Sequence, residues 1–243
     1  MIGRILGAIQ FLTILPLHGK YAEPGRAALF FPLVGAWLGF FGAGLYGLAQ
    51  PHLSSSLAAL LVVNAWMLLT GGLHEDGLAD VADAFRGGRG ADRILAILKD
   101  SRIGTYGGLA ILGSVLLRWQ AIDTIPAANL TGALVASQAV SRAAMVALAW
   151  TSRPVGTGLG AAFCLSLTSP AAVLAILQGA AFALFCGPLA ALWIVVAAAV
   201  IVAAAHSYFH TRIGGVTGDC LGAVSQWVEI AVLLVLSCQS CSW

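Results

Sequence analysis

Apolar residues run along this chain in seven long stretches, separated by short groups of polar, Gly or Pro positions. The stretches fall at 27–50, 57–73, 105–122, 130–150, 171–185, 189–205 and 222–236. A helix of about 20 apolar residues crosses a bilayer, so the pattern predicts seven membrane-spanning helices. A shorter apolar pattern at 5–17 is too short to span. It predicts a helix lying at the interface or packed under the bundle. The glycines of the first stretch allow another helix to approach closely. Ile94, Leu95, Ile97 and Leu98 predict one or two amphipathic turns inside the most charged loop, 86–102.

Composition settles the class. The 243 residues are 60% hydrophobic and only 9% charged, whereas a soluble domain carries about 25% charged residues. Mean hydropathy is +0.93. Such a chain cannot cover a soluble surface. The expectation is an all-α, polytopic transmembrane bundle of about seven spans with a short N-terminal interfacial helix, forming one domain over 1–243. No internal repeat is seen, and the N-terminus has no signal-peptide pattern. Five cysteines form no paired framework; the terminal Cys238 and Cys241 lack a second pair or a nearby His. The net charge of +2 says little about partners, and no nucleic-acid partner is expected. The lipid bilayer is the expected surroundings, and homo-oligomerisation is left open.

The few charges are placed unevenly. Counting loops on alternate sides, Arg4, Lys20, Arg26, Arg86, Arg89, Arg93, Lys99, Arg102, Arg153 and Arg212 share one side, and the loops of the other side hold no Lys or Arg. Basic loops stay in the cytoplasm. The expectation is a cytoplasmic N-terminus, an external C-terminus, and a site on the cytoplasmic face of the cell inner membrane.

That face carries the candidate chemistry. Of 10 acidic residues in the chain, four lie within 74–83. If the second helix continues past Leu73, Asp76, Asp80 and Asp83 stand at i, i+4 and i+7 on one face. Like charges at that spacing repel, and a divalent cation relieves them. Hard oxygen ligands suit Mg2+, which keeps several waters and takes substrate phosphates as further ligands. His74 is placed to act as base or ligand. Gly77 suggests close approach by a metal or phosphate. Lys99, Asp100, Ser101 and Arg102 precede a helix N-terminus, which with two cations suits a phosphate. Gly214, Gly215, Thr217, Gly218 and Asp219 form an amide-rich loop able to cradle phosphate or bring a carboxylate to a metal. Asp219 is expected near the acid cluster, the alternative being that it caps the seventh span. Glu229, buried in that span, is costly there and by default functional, with Arg142 or Arg118 as the expected facing charge and a purely structural Glu229–Arg142 ion pair as the alternative. Arg153 with Gly158 and Gly160 is a weaker anion-loop signal. No Walker A loop, Ser-His-Asp or Cys-His arrangement stands out. Acids, Mg2+ and phosphate-binding cations together point to phosphoryl transfer.

The runs Gly71 to Asp83, Leu98 to Gly104 and Gly214 to Ala223, with Phe31-Pro32-Leu33-Val34-Gly35 and Gly158 to Phe163, closely resemble the cobalamin synthase family, the adenosylcobinamide-GDP ribazoletransferases. The resemblance covers nearly the whole chain. It implies a Mg2+-dependent membrane transferase of cobalamin biosynthesis. Such an enzyme joins adenosylcobinamide-GDP to α-ribazole or its 5′-phosphate and releases GMP. On that reading Asp76, Asp80 and Asp83 hold the metal on the diphosphate, with Asp219 and Glu229 as further candidates. Lys99, Arg102 and Arg142 neutralise the departing GMP, and a carboxylate or His74 takes the ribazole proton. Asp100, Ser101, Arg153 and the Gly214–Gly218 loop bind substrate. The sequence departs from the family pattern at Leu98 (usually Met), Cys220 (usually Thr) and Gln226 (an acid expected). Two other readings are a phosphotransferase of the CDP-alcohol type, whose pattern needs Ala-Arg where Asp80-Val81 stand, and a cation-coupled transporter using Asp76, Asp80 and Glu229.

Overall fold

The computed structural model describes residues 1–19, 22–100 and 102–238. Ser101, Lys20 and Cys241 therefore lie outside the described residues. Among the described residues the regular structure is helical, apart from one isolated bridge between Pro154 and Val216.

Helices form where the apolar stretches lie. The first is the short α1 (Ile2–Leu12), which stops before Pro16. Next come α2 (Pro24–Ala27), a 3-10 turn and α3 (Phe31–Ala49), together one apolar run over Pro24–Ala49. α4 (Ser55–Thr70) begins at Ser54, whose hydroxyl accepts from the Leu57 amide, and ends where Gly71 and Gly72 both take positive φ. Only glycine adopts that conformation without steric cost. α5 (Leu73–Gly87), which carries the acid cluster, is thus a separate helix bent 89° from α4. The second helix does not continue past Leu73 as expected, but the i, i+4, i+7 spacing survives within α5. If α4 crosses the membrane, α5 runs along its face.

The remaining elements are α6 (Ala91–Ile97), α7 (Thr105–Thr124), α8 (Ala127–Thr151), α9 (Leu159–Ser166), α10 (Ser169–Ala183), α11 (Pro188–Ile213) and α12 (Gly218–Leu236). Seven long helices thus occupy the seven expected ranges. Five runs, Pro24–Ala49, Ala127–Thr151, Ser169–Cys186, Pro188–Ile213 and Gly218–Leu236, are long and apolar enough to cross a membrane, or six if the bent α4–α5 pair counts as one. α7 is less apolar because it carries the buried Arg118 and the half-buried Asp123. Two boundaries differ from expectation. α11 runs eight residues beyond 205, because nothing breaks the helix until Gly214 at φ +77°. The Gly-rich loop after α8 contains the unexpected α9.

α8 is the central helix, buried along most of its length. α3 lies against it through Gly35 and Gly39. A Cβ on Gly35 would collide with the Gln138 carbonyl, and one on Gly39 with Val135 Cα. Small residues four apart let two helix backbones touch, as membrane helices do when apolar burial between them drives nothing. Trp66 of α4 closes the same layer, its Nε1–H donating to the Leu38 carbonyl at 2.8 Å.

Candidate active site

α5 meets the start of α12 backbone to backbone. A Cβ on Gly77 would lie 2.9 Å from the Asp219 carbonyl oxygen, and one on Gly222 would lie 3.5 Å from Gly77 Cα. Gly77 therefore serves helix contact rather than approach of a metal or phosphate. The same contact brings Asp219 beside Asp76. The hydroxyl of Thr217 caps α12, accepting from the Cys220 amide at 3.4 Å, and it donates to Asp219 Oδ2 at 3.1 Å. Asp219 is thus not the cap. It faces a cleft of about 430 Å3 also lined by His74, Asp76, Lys99, Thr157 and Gly218.

The two Gly-rich loops form one rim of this cleft. The Val155 amide donates to the Val216 carbonyl at 2.8 Å, and the Val216 amide to the Arg153 carbonyl at 3.0 Å. Arg153 Nε donates to the Gly214 carbonyl at 2.7 Å. Gly215 leaves no room for a side chain beside the Arg153 carbonyl, nor does Gly160 beside Gly218. Arg153 thus stitches the loops together. The loops after α8 and α11 and the acid helix were expected on one face, and they meet there.

Asp80 stands among the acids. Burial pushes its carboxyl up to about 7, and the charges of Asp76, Asp219 and Asp83 add to the shift. Asp83 is also engaged elsewhere. Its Oδ2 accepts from the Gly104 amide at 2.7 Å and its Oδ1 from the Gly107 amide at 2.9 Å. The N-terminus of α7, expected to hold a substrate phosphate, is capped by the protein's own carboxylate. Arg102 pairs with Asp100 at 2.6 Å on the surface, which holds the Asp100 carboxyl down at about 2.

Below the cleft lies a buried ion-pair network. Arg118 Nη1 contacts Glu75 Oε1 at 2.9 Å and Glu229 Oε1 at 3.1 Å, and Arg142 Nη1 contacts Glu229 Oε2 at 3.3 Å. Ser141 Oγ accepts from Arg142 Nη1 at 2.9 Å. Gln226 donates to Glu75 Oε1 at 3.3 Å and accepts from the Ser114 hydroxyl at 2.8 Å. Two carboxylates and two guanidiniums make a neutral set joining α5, α7, α8 and α12. Glu229 and Arg142, expected as metal ligand and substrate contact, are members of this set. An amide at 226 keeps the count balanced, where an acid would add a third negative charge. His74, also buried, has no hydrogen-bond partner on either ring nitrogen among the described residues. Burial first, then the Arg142 and Arg118 charges, hold its imidazole well below the usual range, so it is neutral. Arg118 was foreseen as a possible partner of Glu229, whereas Glu75 and Ser114 were not foreseen in the network; the signal was charge inside apolar helices, which is costly unless paired.

Among the described residues no three His, Cys, Asp or Glu side chains gather closely enough to hold a metal by themselves. Crowded carboxylates of hard-oxygen type nevertheless fit Mg2+, which binds through one or two carboxylates with water and phosphate completing its shell.

The family model for cobalamin-5-phosphate synthase matches residues 4–237. This chain belongs to that family. Curated relatives named adenosylcobinamide-GDP ribazoletransferase agree along nearly their whole length. The protein of Chlorobium chlorochromatii is 38% identical, over 96% of this chain and 94% of its own. That of Ralstonia nicotianae is 38% identical over 94% and 92%, and that of Rhizobium meliloti 38% over 95% and 94%. No solved structure matches the chain.

Proposed function

We propose that this chain is an adenosylcobinamide-GDP ribazoletransferase of the cell inner membrane, dependent on Mg2+, with its cleft on the cytoplasmic side. The observation that carries the reading is the meeting of Asp76, Asp219, Lys99 and the joined Gly-rich loops around one cleft, in a chain matched over nearly its full length by that family. A ribazole hydroxyl attacks the cobinamide-side phosphorus of the diphosphate. The new P–O bond forms as the bond to the GMP oxygen breaks, GMP leaves with the electron pair, and the hydroxyl proton passes to a base. Asp76, Asp80 and Asp219 are the residues that would hold Mg2+, which supplies charge neutralisation on the diphosphate. Lys99 adds a cation at the cleft. The amide-rich loops orient the phosphates, a task suited to backbone N–H groups that need no reorganisation. The ion-pair network holds α5 so that Asp76 faces the cleft. Purified protein in vesicles, given both substrates and Mg2+, should release GMP and form one cobalamin product per GMP. Release of CMP from a CDP-alcohol instead, or ion flux without GMP, would overturn the reading.

A further inference from the structure

A groove of about 580 Å3 runs between α8, α10 and α11, and shares no lining residue with the active cleft. On α8 it extends from Val140 to Thr151, and on α11 from Val195 to His206. α10 enters the lining only with Ile176, Gly179 and Ala180. A Cβ on Gly179 would collide with that of Ala143, so α10 touches α8 there. Elsewhere the lining side chains of α8 and α11 are mostly alanines, too small to fill the space between the helices.

The lining is apolar except at one end, where Thr151 and His206 stand. Ser152 Oγ lies 3.1 Å from His206 Nδ1, and the ring of His210 stacks on that of His206 at 4.1 Å. Arg153, next in the chain, bonds to the Gly214 carbonyl on the rim of the active cleft. The polar end of the groove and the active cleft therefore lie on the same side of the molecule.

Length and width select the occupant. Helical rise over the lining stretches of α8 and α11 makes the groove about 16 Å long. One leaflet, half of a hydrocarbon core about 30 Å thick, has nearly that depth. Spread over that length, the volume leaves a mean cross-section of about 36 Å2, which admits an extended hydrocarbon chain but not an α-helix about 10 Å across. The walls also face the bilayer. Only 28% of Ser169–Cys186 and 22% of the apolar part of Pro188–Ile213 are buried within the protein.

We infer that this groove seats one acyl chain of a phospholipid from the leaflet on the active-cleft side, with the head group at Ser152 and His206. The chain supplies the contacts that the lining atoms lack across the gap. When His206 Nδ1 accepts from Ser152, Nε2–H is left to donate to the head-group phosphate. Arg153 places a cation at the same level, as in basic pockets between membrane helices that hold lipid head groups. The assignment goes beyond the transferase reading and does not depend on it.

The test uses the wild-type full chain in vesicles containing phosphatidylglycerol with a photoreactive diazirine on one acyl chain. Ala143 and Ala144 are each 5% exposed and line the groove, so lipid reaches them only there. After irradiation, peptide mapping should find lipid on the 140–147 stretch of α8 as well as on the exposed face of α11. Ala199→Phe fills the groove. It should cut the α8 label at least tenfold and leave the label around the exposed Leu192 within twofold. The smaller Ala199→Val, which should lower the α8 label at least threefold, covers the case in which the phenylalanine variant is not recovered in membranes. Wild-type protein labelled on α10 and α11 but not on α8 would overturn the assignment. Unchanged α8 labelling in the filled variant would do the same. A disulfide between Ala199→Cys residues of two copies would give the groove to a second copy of the chain instead.

Discussion

At the scale of single residues, acids that look alike in sequence divide into different tasks. Asp76, Asp80 and Asp83 share a helix face, and spacing alone makes them equivalent. What separates them is the partner each meets from elsewhere in the chain. Asp83 accepts two amides at the start of α7, and Asp219 leaves the capping of α12 to Thr217. Asp83→Ala should therefore lower stability by about 1–2 kcal/mol, the usual loss for a helix cap, seen as a lower thermal midpoint in detergent. Asp219→Asn should leave that midpoint nearly unchanged and abolish most turnover. Normal turnover in Asp219→Asn would remove it from the metal set. Asp80 yields a second prediction. Its folded-state carboxyl titrates near 7, above an unfolded value near 3.9, so the folded protein holds the extra proton between those values. Metal-free protein should lose stability as pH rises from about 4 to about 7. Asp80→Asn should flatten that slope in thermal melts. Partial exposure screens the effect and keeps it small.

At the scale of elements, the sequence marks where helices lie far better than it marks how they touch. Seven apolar stretches became seven long helices, since length and hydropathy are local properties. The break after Thr70 was signalled only by Gly71-Gly72, and an apolar run leading into it masked the bend. Gly77 is a sharper case. It reads equally as a place for a ligand or for a neighbouring backbone, and only packing decides. Gly77→Ala gains helix propensity of about 1 kcal/mol. Its Cβ, however, would stand 2.9 Å from the Asp219 carbonyl oxygen and 3.1 Å from Asp219 Cα. Neither atom can move without shifting α12. The net result should be a loss of about 1–3 kcal/mol, as overpacking commonly costs, with turnover falling because Asp219 is pushed from Asp76. Gly87→Ala is the control, since its Cβ meets nothing nearer than 3.6 Å. Equal thermal midpoints for the two variants would contradict the close crossing.

At the scale of the whole molecule, the charge asymmetry of the loops predicts which chain segments share a face. Reporter fusions after Gly90 and after Ile125 should read opposite sides of the membrane, with the first in the cytoplasm; the same side for both would refute the arrangement. The loops meeting at the cleft were foreseeable from that asymmetry. The network beneath was only partly so, because Glu229 had two candidate partners, Arg118 and Arg142, and proved to use both. Glu75, Arg118, Arg142 and Glu229 come from four helices and balance to zero charge. Removing one member strands an opposite charge in the interior, at a typical cost of about 3–5 kcal/mol, while exchanging a whole pair for apolar residues of similar volume is often neutral. The four positions therefore behave as one unit of inheritance. Descendants of this sequence can leave the present arrangement by paired replacement far more readily than one residue at a time, so drift at any one of them waits on a second change in a different helix.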